Sequence, residues 1–214
     1  YENDLAVIQA GIRGQDLEDQ LNAKGFTLGH QPDSIELSTL GGWISTNASG
    51  MKKNRYGNIE DIVVDFRLIT PVGVMERTCK SPRHSTSLQS DRWLFGSEGC
   101  FGIITEATCR IKKIPDVRRY DSMLFPTFED GFAFLKAVNR HHCLPASIRL
   151  VDNAQFKFGY ALRTKSTGFK KLLGRFQTMV LQRFYGFDLD KMAVSTIVYE
   201  GTKKEVDFQQ SEIK

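Results

Sequence analysis

The chain has 214 residues, a formal net charge of +4, and 41% apolar and 11% aromatic residues. This composition is typical of a globular protein, because disordered chains carry fewer apolar residues and more net charge. No apolar run reaches the roughly 20 residues that a membrane-spanning helix needs, and a charge of +4 alone does not indicate a nucleic-acid-binding protein.

The first residues predict a strand followed by a helix. Residues 5–10 form a short apolar strand. Leu17 and Leu21 place one apolar stripe on a helix over residues 15–24, and Gly25 is suited to end that helix. The N-terminal part of the chain therefore starts with a β-strand and a one-faced helix.

The middle of the chain is predicted to be mostly loop and strand. Residues 29–61 are rich in small side chains and show weak periodicity, so we expect a loop with one helical turn. A β-hairpin follows, with strands over 62–69 and 74–79. Period-two alternation over 105–112 predicts a half-solvated strand.

The composition changes near Pro115, and we place a domain boundary there. Thr127 and Asp130 are spaced as in a capping box, so a helix is expected to begin at Thr127 and to end near residue 142. The other predicted elements are strands over 120–125, 147–151 and 194–199, and helices over 153–162 and from residue 203 onwards.

A basic amphipathic helix is predicted over residues 166–185. Residues 157–191 hold eight Lys and Arg against two Asp, a net charge of +6. Such a helix suits an anionic bilayer surface, but its apolar stripe suits packing against a sheet equally well. A non-catalytic module that binds lipid surfaces or nucleic acid through this segment is a third interpretation.

The cysteines and the chain ends give two further expectations. Four cysteines, Cys79, Cys100, Cys109 and Cys143, show no Cys-x-x-Cys spacing, so we expect free, buried thiols in a reducing compartment and no zinc site. The sequence begins without Met and ends within a helix-like run, so we expect a fragment of a longer protein.

Glycine placement is the most unusual local feature. Seven of the 18 glycines fall within residues 41–57 and 96–102. Glycine allows positive φ and close approach of a ligand to the main chain, and free N–H groups in small-residue turns can hold a phosphate or a ring. Tight turns alone would also need glycine. Neither window matches a Rossmann or P-loop motif.

These two windows resemble those of a known group of flavoproteins. The run from Asp33 to Asp61, with Leu-Gly-Gly-Trp-Ile-Ser-Thr-Asn-Ala-Ser-Gly at 40–50, is similar to an FAD-contacting stretch of the vanillyl-alcohol-oxidase-type superfamily. Gly-Ser-Glu-Gly-Cys-Phe-Gly at 96–102 resembles another such stretch. Within the superfamily, residues 50–61 and 145–153 most resemble the alkylglycerone-phosphate synthase family.

The resemblance implies a set of site residues. Arg149 matches an arginine that the family needs for activity. The positions that would line FAD are Asp33, Ser34, Ile35, Glu36, Leu37, Ser38, Thr39, Thr46, Asn47, Ala48, Ser49, Glu98, Gly99, Cys100, Phe101, Gly102, Ile103 and Ile104.

Two positions depart from the superfamily pattern. Cys100-Phe101 stands where Thr-Leu is usual, and Asn47 stands where Arg is common. Since the glycines around Cys100 remain, we expect the main-chain path to be kept there. We also expect Ser45–Gly50 and Glu98–Gly102 to lie close together, because both would grip one cofactor.

The implied activity is an alkyl transfer in ether-lipid synthesis. The acyl chain of acyl-dihydroxyacetone phosphate is exchanged for a long-chain alcohol through a flavin N5 adduct, with no net redox change. The resemblance further implies a peroxisomal enzyme, a homodimer at full length, peripheral membrane association and no nucleic acid. An FAD-dependent 2-hydroxyacid dehydrogenase of the same superfamily is the rival enzyme.

Arg149 lies between Ile148 and Leu150 in an apolar strand. A buried guanidinium needs an anion, which would be either the flavin or substrate, or a structural partner such as Asp152. The resemblance favours the functional role.

Other polar residues are weaker candidates. Neighbouring helical positions point about 100° apart, so His141 and His142 are poorly placed for one metal and we expect none. Spacing does not support Tyr56, Tyr160 or Glu98 as acid–base groups.

The sequence therefore predicts an α+β fold. Residues 1–115 would be the latter part of an FAD-binding domain, and residues 116–214 the start of a cap or substrate domain. As a fragment without the pyrophosphate loop or the downstream catalytic residues, the chain is expected neither to hold FAD tightly nor to turn over alone.

Overall fold

The structure is a computed structural model that describes residues 3–76, 85, 92–141, 143–162, 188 and 190–213. The chain divides into two compact units, Tyr1–Pro115 and Asp116–Lys214. Each unit combines helices with antiparallel sheet, so the expected α+β fold is confirmed. Within the described residues, no helix has both the length and the apolar character needed to span a bilayer.

A four-stranded antiparallel sheet forms the framework of the first unit. Its strand order is β1-β5-β3-β4, with a separate pair formed by β2 and β6. The strands are β1 (Leu5–Gln9), β2 (Phe26–Thr27), β3 (Val63–Thr70), β4 (Gly73–Met75), β5 (Ile103–Arg110) and β6 (Lys112–Lys113). The predicted hairpin is thus present as β3 and β4.

The helices of the first unit correct one expectation. They are α1 (Gly14–Asn22), α2 (Leu40–Ser45), α3 (Lys53–Tyr56) and α4 (Ile59–Ile62). The prediction of a loop with one helical turn over 29–61 was wrong, because three short helices lie there. Helices of four to six residues show too few turns for a periodic signal, and the burial of Trp43, Ile44 and Ile59 stabilises them.

The core of the first unit lies between the sheet and these helices. Leu17 and Leu21 of α1 are buried with Trp43 of α2. The alternation predicted for 105–112 holds at Ala107, which is buried, but Thr108 is buried as well. Arg110 and Lys112 on the same side are exposed, so the predicted half-solvated strand is confirmed except at Thr108.

In its described residues, the second unit consists of a three-stranded antiparallel sheet and three helices. Its order is β7-β9-β8, and the elements are β7 (Val117–Phe125), α5 (Phe128–Arg140), β8 (Ser147–Val151), α6 (Asn153–Leu162), β9 (Ala193–Gly201) and α7 (Lys203–Ile213). Thr127 Oγ1 accepts the Asp130 N–H over 3.2 Å, which confirms the predicted N-cap of α5. The predicted helix 166–185 lies outside the described residues.

One face of the second sheet carries the core of that unit. Val138 of α5 and Val206 of α7 pack against Ile197 and Tyr199 of β9. Because side chains alternate along a strand, residues at even positions of β9 point to the other face.

Candidate functional site

Helix α2 joins the two glycine-rich windows. The Gly96 N–H donates to the Ile44 carbonyl over 3.2 Å, and the Glu98 N–H donates to the Ser45 carbonyl over 2.8 Å. The last carbonyls of a helix have no partner within the helix, so the second window satisfies this end of α2. The expectation that Ser45–Gly50 and Glu98–Gly102 lie together is confirmed.

Both windows contain strained main chain. Asn47 and Glu98 each have a φ of 50°, a left-handed conformation that Asn tolerates better than Glu. Strain of this kind costs on the order of 1 kcal/mol or more per residue and clusters at ligand sites. The two strained residues lie where the windows meet.

The predicted stretch Asp33–Thr39 lies at the other end of α2. Thr39 caps α2, because its side chain accepts the Gly42 N–H over 3.2 Å. The Ser38 hydroxyl accepts the Trp43 indole N–H over 2.7 Å and a bond from the Ser34 hydroxyl over 3.0 Å. The three predicted FAD segments are therefore arranged around one short helix.

Five main-chain donors of this region are already used within the fold. The N–H groups of Thr46, Asn47, Ala48 and Cys100 donate to nearby carbonyls, as does that of Glu98. They are not free to bind a phosphate. These N–H groups form hydrogen bonds within the turns because a buried, unpaired main-chain donor is costly.

Hydroxyl groups remain as acceptors in the same region. Thr46 Oγ1 donates to the Gly42 carbonyl over 2.8 Å, and Ser49 Oγ donates to Asn58 Oδ1 over 2.9 Å. Each hydroxyl that donates one bond still has lone pairs with which to accept another. Both residues are exposed and suit the N–H and ribityl hydroxyl donors of FAD.

Large apolar side chains are exposed within the predicted segments. Leu37 is 83% exposed, Ile103 is 72% exposed and Phe101 is 46% exposed, with the Phe101 ring edge-to-face against Trp93 at 4.5 Å. Exposed apolar groups beside polar ones are typical of a ligand or partner surface. The hydroxyl acceptors and these apolar side chains together fit the flat, partly polar ring system of FAD.

Sequence reasoning missed His30, which lies behind this region. It is 1% exposed and contacts Trp43 edge-to-face at 4.9 Å. Burial lowers the pKa of His30 to about 4, so the ring is neutral near pH 7. A Cβ at Gly50 would lie 2.9 Å from His30 Nδ1, which explains the need for glycine there. Nothing local in the sequence indicates that this histidine is buried.

The cysteines behave differently from one another. Cys109 is buried, as expected, and burial raises its pKa to about 12. Cys100 is exposed, contrary to expectation, because it lies in a surface turn in which its N–H donates to the Ser97 carbonyl. Cys143 is half-buried, and Cys79 lies outside the described residues.

Arg149 lies in the second unit and is not buried. Strand β8 is an edge strand, and the Arg149 side chain points away from the helix-covered face and is exposed. The expectation of a buried guanidinium was wrong, since flanking apolar residues do not show which face an intervening residue takes. Asp152 Oδ1 accepts the Gln155 N–H over 2.7 Å at the start of α6.

The weaker candidates have structural surroundings. Tyr56 is buried with Lys112 Nζ 5.3 Å from its ring centre. His141 is exposed at the end of α5. His142 and the Tyr160 side chain lie outside the described part. In the part of the chain that the structure describes, no group of three or more His, Cys, Asp or Glu could hold a metal.

An open groove of about 700 Å³ lies elsewhere in the first unit. It runs between β1 and α1, with lining residues from Ala6 to Lys24, and none of its lining residues is a predicted FAD residue. Because β1 is an edge strand, the groove follows a sheet edge of the kind that accepts another strand.

Comparisons with known proteins relate both units to FAD-linked proteins. Residues 1–78 match the family model of the FAD binding domain, and residues 114–214 match that of the C-terminal domain of FAD-linked oxidases. An alkyldihydroxyacetonephosphate synthase of Caenorhabditis elegans is 48% identical over 96% of this chain and 35% of its own length. One of Trypanosoma brucei brucei is 37% identical over 99% of this chain and 34% of its own length.

Comparison with solved structures points to the same relatives. A solved structure of alkyldihydroxyacetonephosphate synthase, the enzyme also called alkylglycerone-phosphate synthase, is similar with a TM-score of 0.87 and 36% identity, over 99% of this chain and 37% of that chain. The chain thus spans about a third of the length of these relatives. The chain belongs to the alkyldihydroxyacetonephosphate synthase family of FAD-linked proteins.

Proposed function

We propose that the protein containing this chain is an alkyl transferase of ether-lipid synthesis. It exchanges the acyl chain of acyl-dihydroxyacetone phosphate for a long-chain alcohol, with no net oxidation or reduction. The observation that carries this proposal is the meeting of the two glycine-rich windows on α2, in a chain 48% identical to a relative with this activity in its name.

The residues around α2 are proposed to hold FAD. The hydroxyl oxygens of Thr46 and Ser49 accept hydrogen bonds from the cofactor, and the side chains of Leu37, Phe101 and Ile103 cover its rings and exclude water. When bound, FAD supplies the covalent chemistry of the exchange. The protein residues position the cofactor and the substrate and supply charge to them.

The two departures from the family pattern leave this arrangement in place. Asn47 adopts a left-handed conformation suited to its side chain, and Cys100 is exposed in its turn. We propose that the main-chain path, and not these two side chains, is what the cofactor site requires. An exposed arginine, Arg149, supplies positive charge for an anionic substrate.

Chemistry distinguishes this function from the rival enzyme. Full-length protein is incubated with FAD, acyl-dihydroxyacetone phosphate and labelled hexadecanol, and the ether lipid is quantified. The transferase releases fatty acid and forms labelled ether lipid while its flavin spectrum stays oxidised. A flavin that is bleached by 2-hydroxyacids, without ether formation, would instead identify a dehydrogenase.

The fragment itself has a separate test. We propose that the 214-residue chain alone neither binds FAD tightly nor turns over, because it covers about a third of its relatives. A purified fragment that is yellow and active would overturn this. For the whole protein we propose a peroxisomal location, which cell fractionation tests. We also propose a homodimer, tested by light scattering, and contact with a membrane surface, tested by co-sedimentation with vesicles.

A further inference from the structure

Three exposed polar side chains form one row across the sheet of the second unit. Thr196 on the central strand β9 pairs with Ser122 of β7 on one side and with Arg149 of β8 on the other. Directly paired residues of antiparallel strands point to the same face, with Cβ atoms about 5 Å apart. All three side chains are exposed.

This row lies on the face opposite the one on which α5 and α7 form the core of the second unit. Ile197, the next residue on β9, packs into the core with Val138 and Val206. Side chains alternate along a strand, so Thr196 points the opposite way. Two hydroxyls and one guanidinium, all on exposed residues, are therefore presented together on the face opposite that core.

The residues beside the row on β7 are apolar or aromatic. Tyr120, two positions before Ser122 on β7, is 71% exposed, and Leu124, two positions after it, is 38% exposed. Both share the face of Ser122 because of the period-two alternation. A polar row with apolar neighbours matches a ligand that carries an anionic group next to a hydrocarbon chain.

The row has the chemistry of an anion-binding site. A guanidinium offers five N–H donors in a planar fork, and a hydroxyl adds one O–H donor. Charge-assisted hydrogen bonds to an anionic oxygen are stronger than neutral ones. With neighbouring Cβ atoms about 5 Å apart, the Thr196 hydroxyl lies within reach of an anion that also contacts Arg149.

We propose that Ser122 and Thr196 act with Arg149 as one anion-binding row that positions the substrate. This inference rests on the proposed function, which supplies an amphiphilic substrate with a phosphate group and releases a fatty carboxylate. The chemistry shared by both is an anionic oxygen group. Ser122 and Thr196 are binding residues that fix orientation, and they take no proton.

Direct binding tests the row without relying on turnover. Isothermal titration calorimetry of the full-length holoenzyme measures the Kd of glycerol 3-phosphate and, separately, of palmitate. Thr196→Val and Ser122→Ala are compared with Thr196→Ser, which keeps the hydroxyl. Ser211→Ala on α7 is the matched control, because Ser211 is exposed in the same unit and its hydroxyl donates to the Phe208 carbonyl.

Thr196→Val is expected to raise the Kd of one of the two ligands by roughly tenfold, which is typical of losing a hydrogen bond to a charged group. Thr196→Ser and Ser211→Ala should stay within about twofold of the wild type. Weakening of glycerol 3-phosphate assigns the row to the phosphate, and weakening of palmitate assigns it to the carboxylate. In the exchange assay, the change should appear in KM more than in kcat.

If Thr196→Val and Ser122→Ala bind both ligands with the wild-type Kd and melt at the wild-type temperature, the proposed anion-binding row is contradicted. Failure of the proposed function looks different. In that case no ether lipid forms, whether or not the variants lose anion binding.

Discussion

The main-chain N–H of Glu98 lies 2.8 Å from the carbonyl oxygen of Ser45, the last residue of α2. This bond joins two glycine-rich stretches that are far apart in sequence. It satisfies a helix-terminal carbonyl that would otherwise be unpaired. The second stretch then passes into β5 through Gly102, whose position is equally constrained.

Gly102 offers a direct test of this constrained path. It has a φ of 153°, and a Cβ there would overlap the Ile69 carbonyl oxygen. Gly73 has a similar φ of 147°, but nothing lies within 4 Å of its Cβ position. Gly102→Ala should therefore lower the free energy of unfolding by about 2 kcal/mol more than Gly73→Ala, as measured by urea denaturation. Equal losses would show that only φ matters.

The buried imidazole of His30 makes stability depend on pH. Burial lowers its pKa to about 4, so on acidification the unfolded chain takes up the proton first. The contribution of neutral His30 is complete above about pH 6.5 and is lost as the pH falls towards 4. Between pH 7.5 and pH 5 the loss amounts to about 2 kcal/mol.

Urea titrations at the two pH values measure this effect. The pH-dependent loss of stability should shrink by that amount in His30→Gln, whatever the variant's overall stability. His141→Gln, at an exposed position, serves as the control and should keep the wild-type dependence. A His30→Gln variant with the full wild-type dependence would contradict the assignment.

Two neighbouring arginines on β7 should differ in their contributions to stability. Arg118 Nε lies 2.6 Å from Glu200, whose side chain is fully buried, whereas Arg119 pairs at 2.7 Å with Asp207, which is 49% exposed. Arg118→Met leaves a buried carboxylate and should cost about 2 kcal/mol, below the range for a fully buried pair because Arg118 is itself 44% exposed. Arg119→Met should cost about 0.5 kcal/mol. Chemical denaturation at moderate salt compares them.

Thiol reactivity should separate Cys100 from Cys109. Cys100 is exposed, while Cys109 is buried with a pKa raised to about 12 by that burial. Since the thiolate is the reactive form, iodoacetamide should modify Cys100 within minutes and Cys109 only after unfolding. Peptide mapping by mass spectrometry follows each thiol separately. Under the proposed function, saturating FAD should slow modification of Cys100 in the full-length protein, and no protection would argue against contact at residues 98–104.

Elements with several periods could be predicted from the sequence. Leu17 and Leu21 defined α1, and Thr127 marked the start of α5, because capping and amphipathic patterns are local. The three helices after residue 39 could not be predicted. They have four to six residues each and are stabilised by buried contacts of Trp43 and Ile59 rather than by their own periodicity.

The candidate site divides in the same way. Glycine placement and the family resemblance identified the two windows, and their meeting on α2 agrees with the structure. The use of some of their N–H groups within the turns, the exposure of Cys100 and the burial of His30 were not predictable. Each depends on which neighbours the fold brings close, and that information is not local.

The sequence by itself determined the fold class, the family and the two glycine-rich windows, since composition, periodicity and long ordered motifs are properties of the chain alone. Only the tertiary structure decided that Arg149 lies beside Thr196 on the sheet face opposite α5 and α7, and that His30 is buried. The physical reason is that register and burial arise from pairing between distant strands and loops, and a single residue's neighbours in sequence do not specify them.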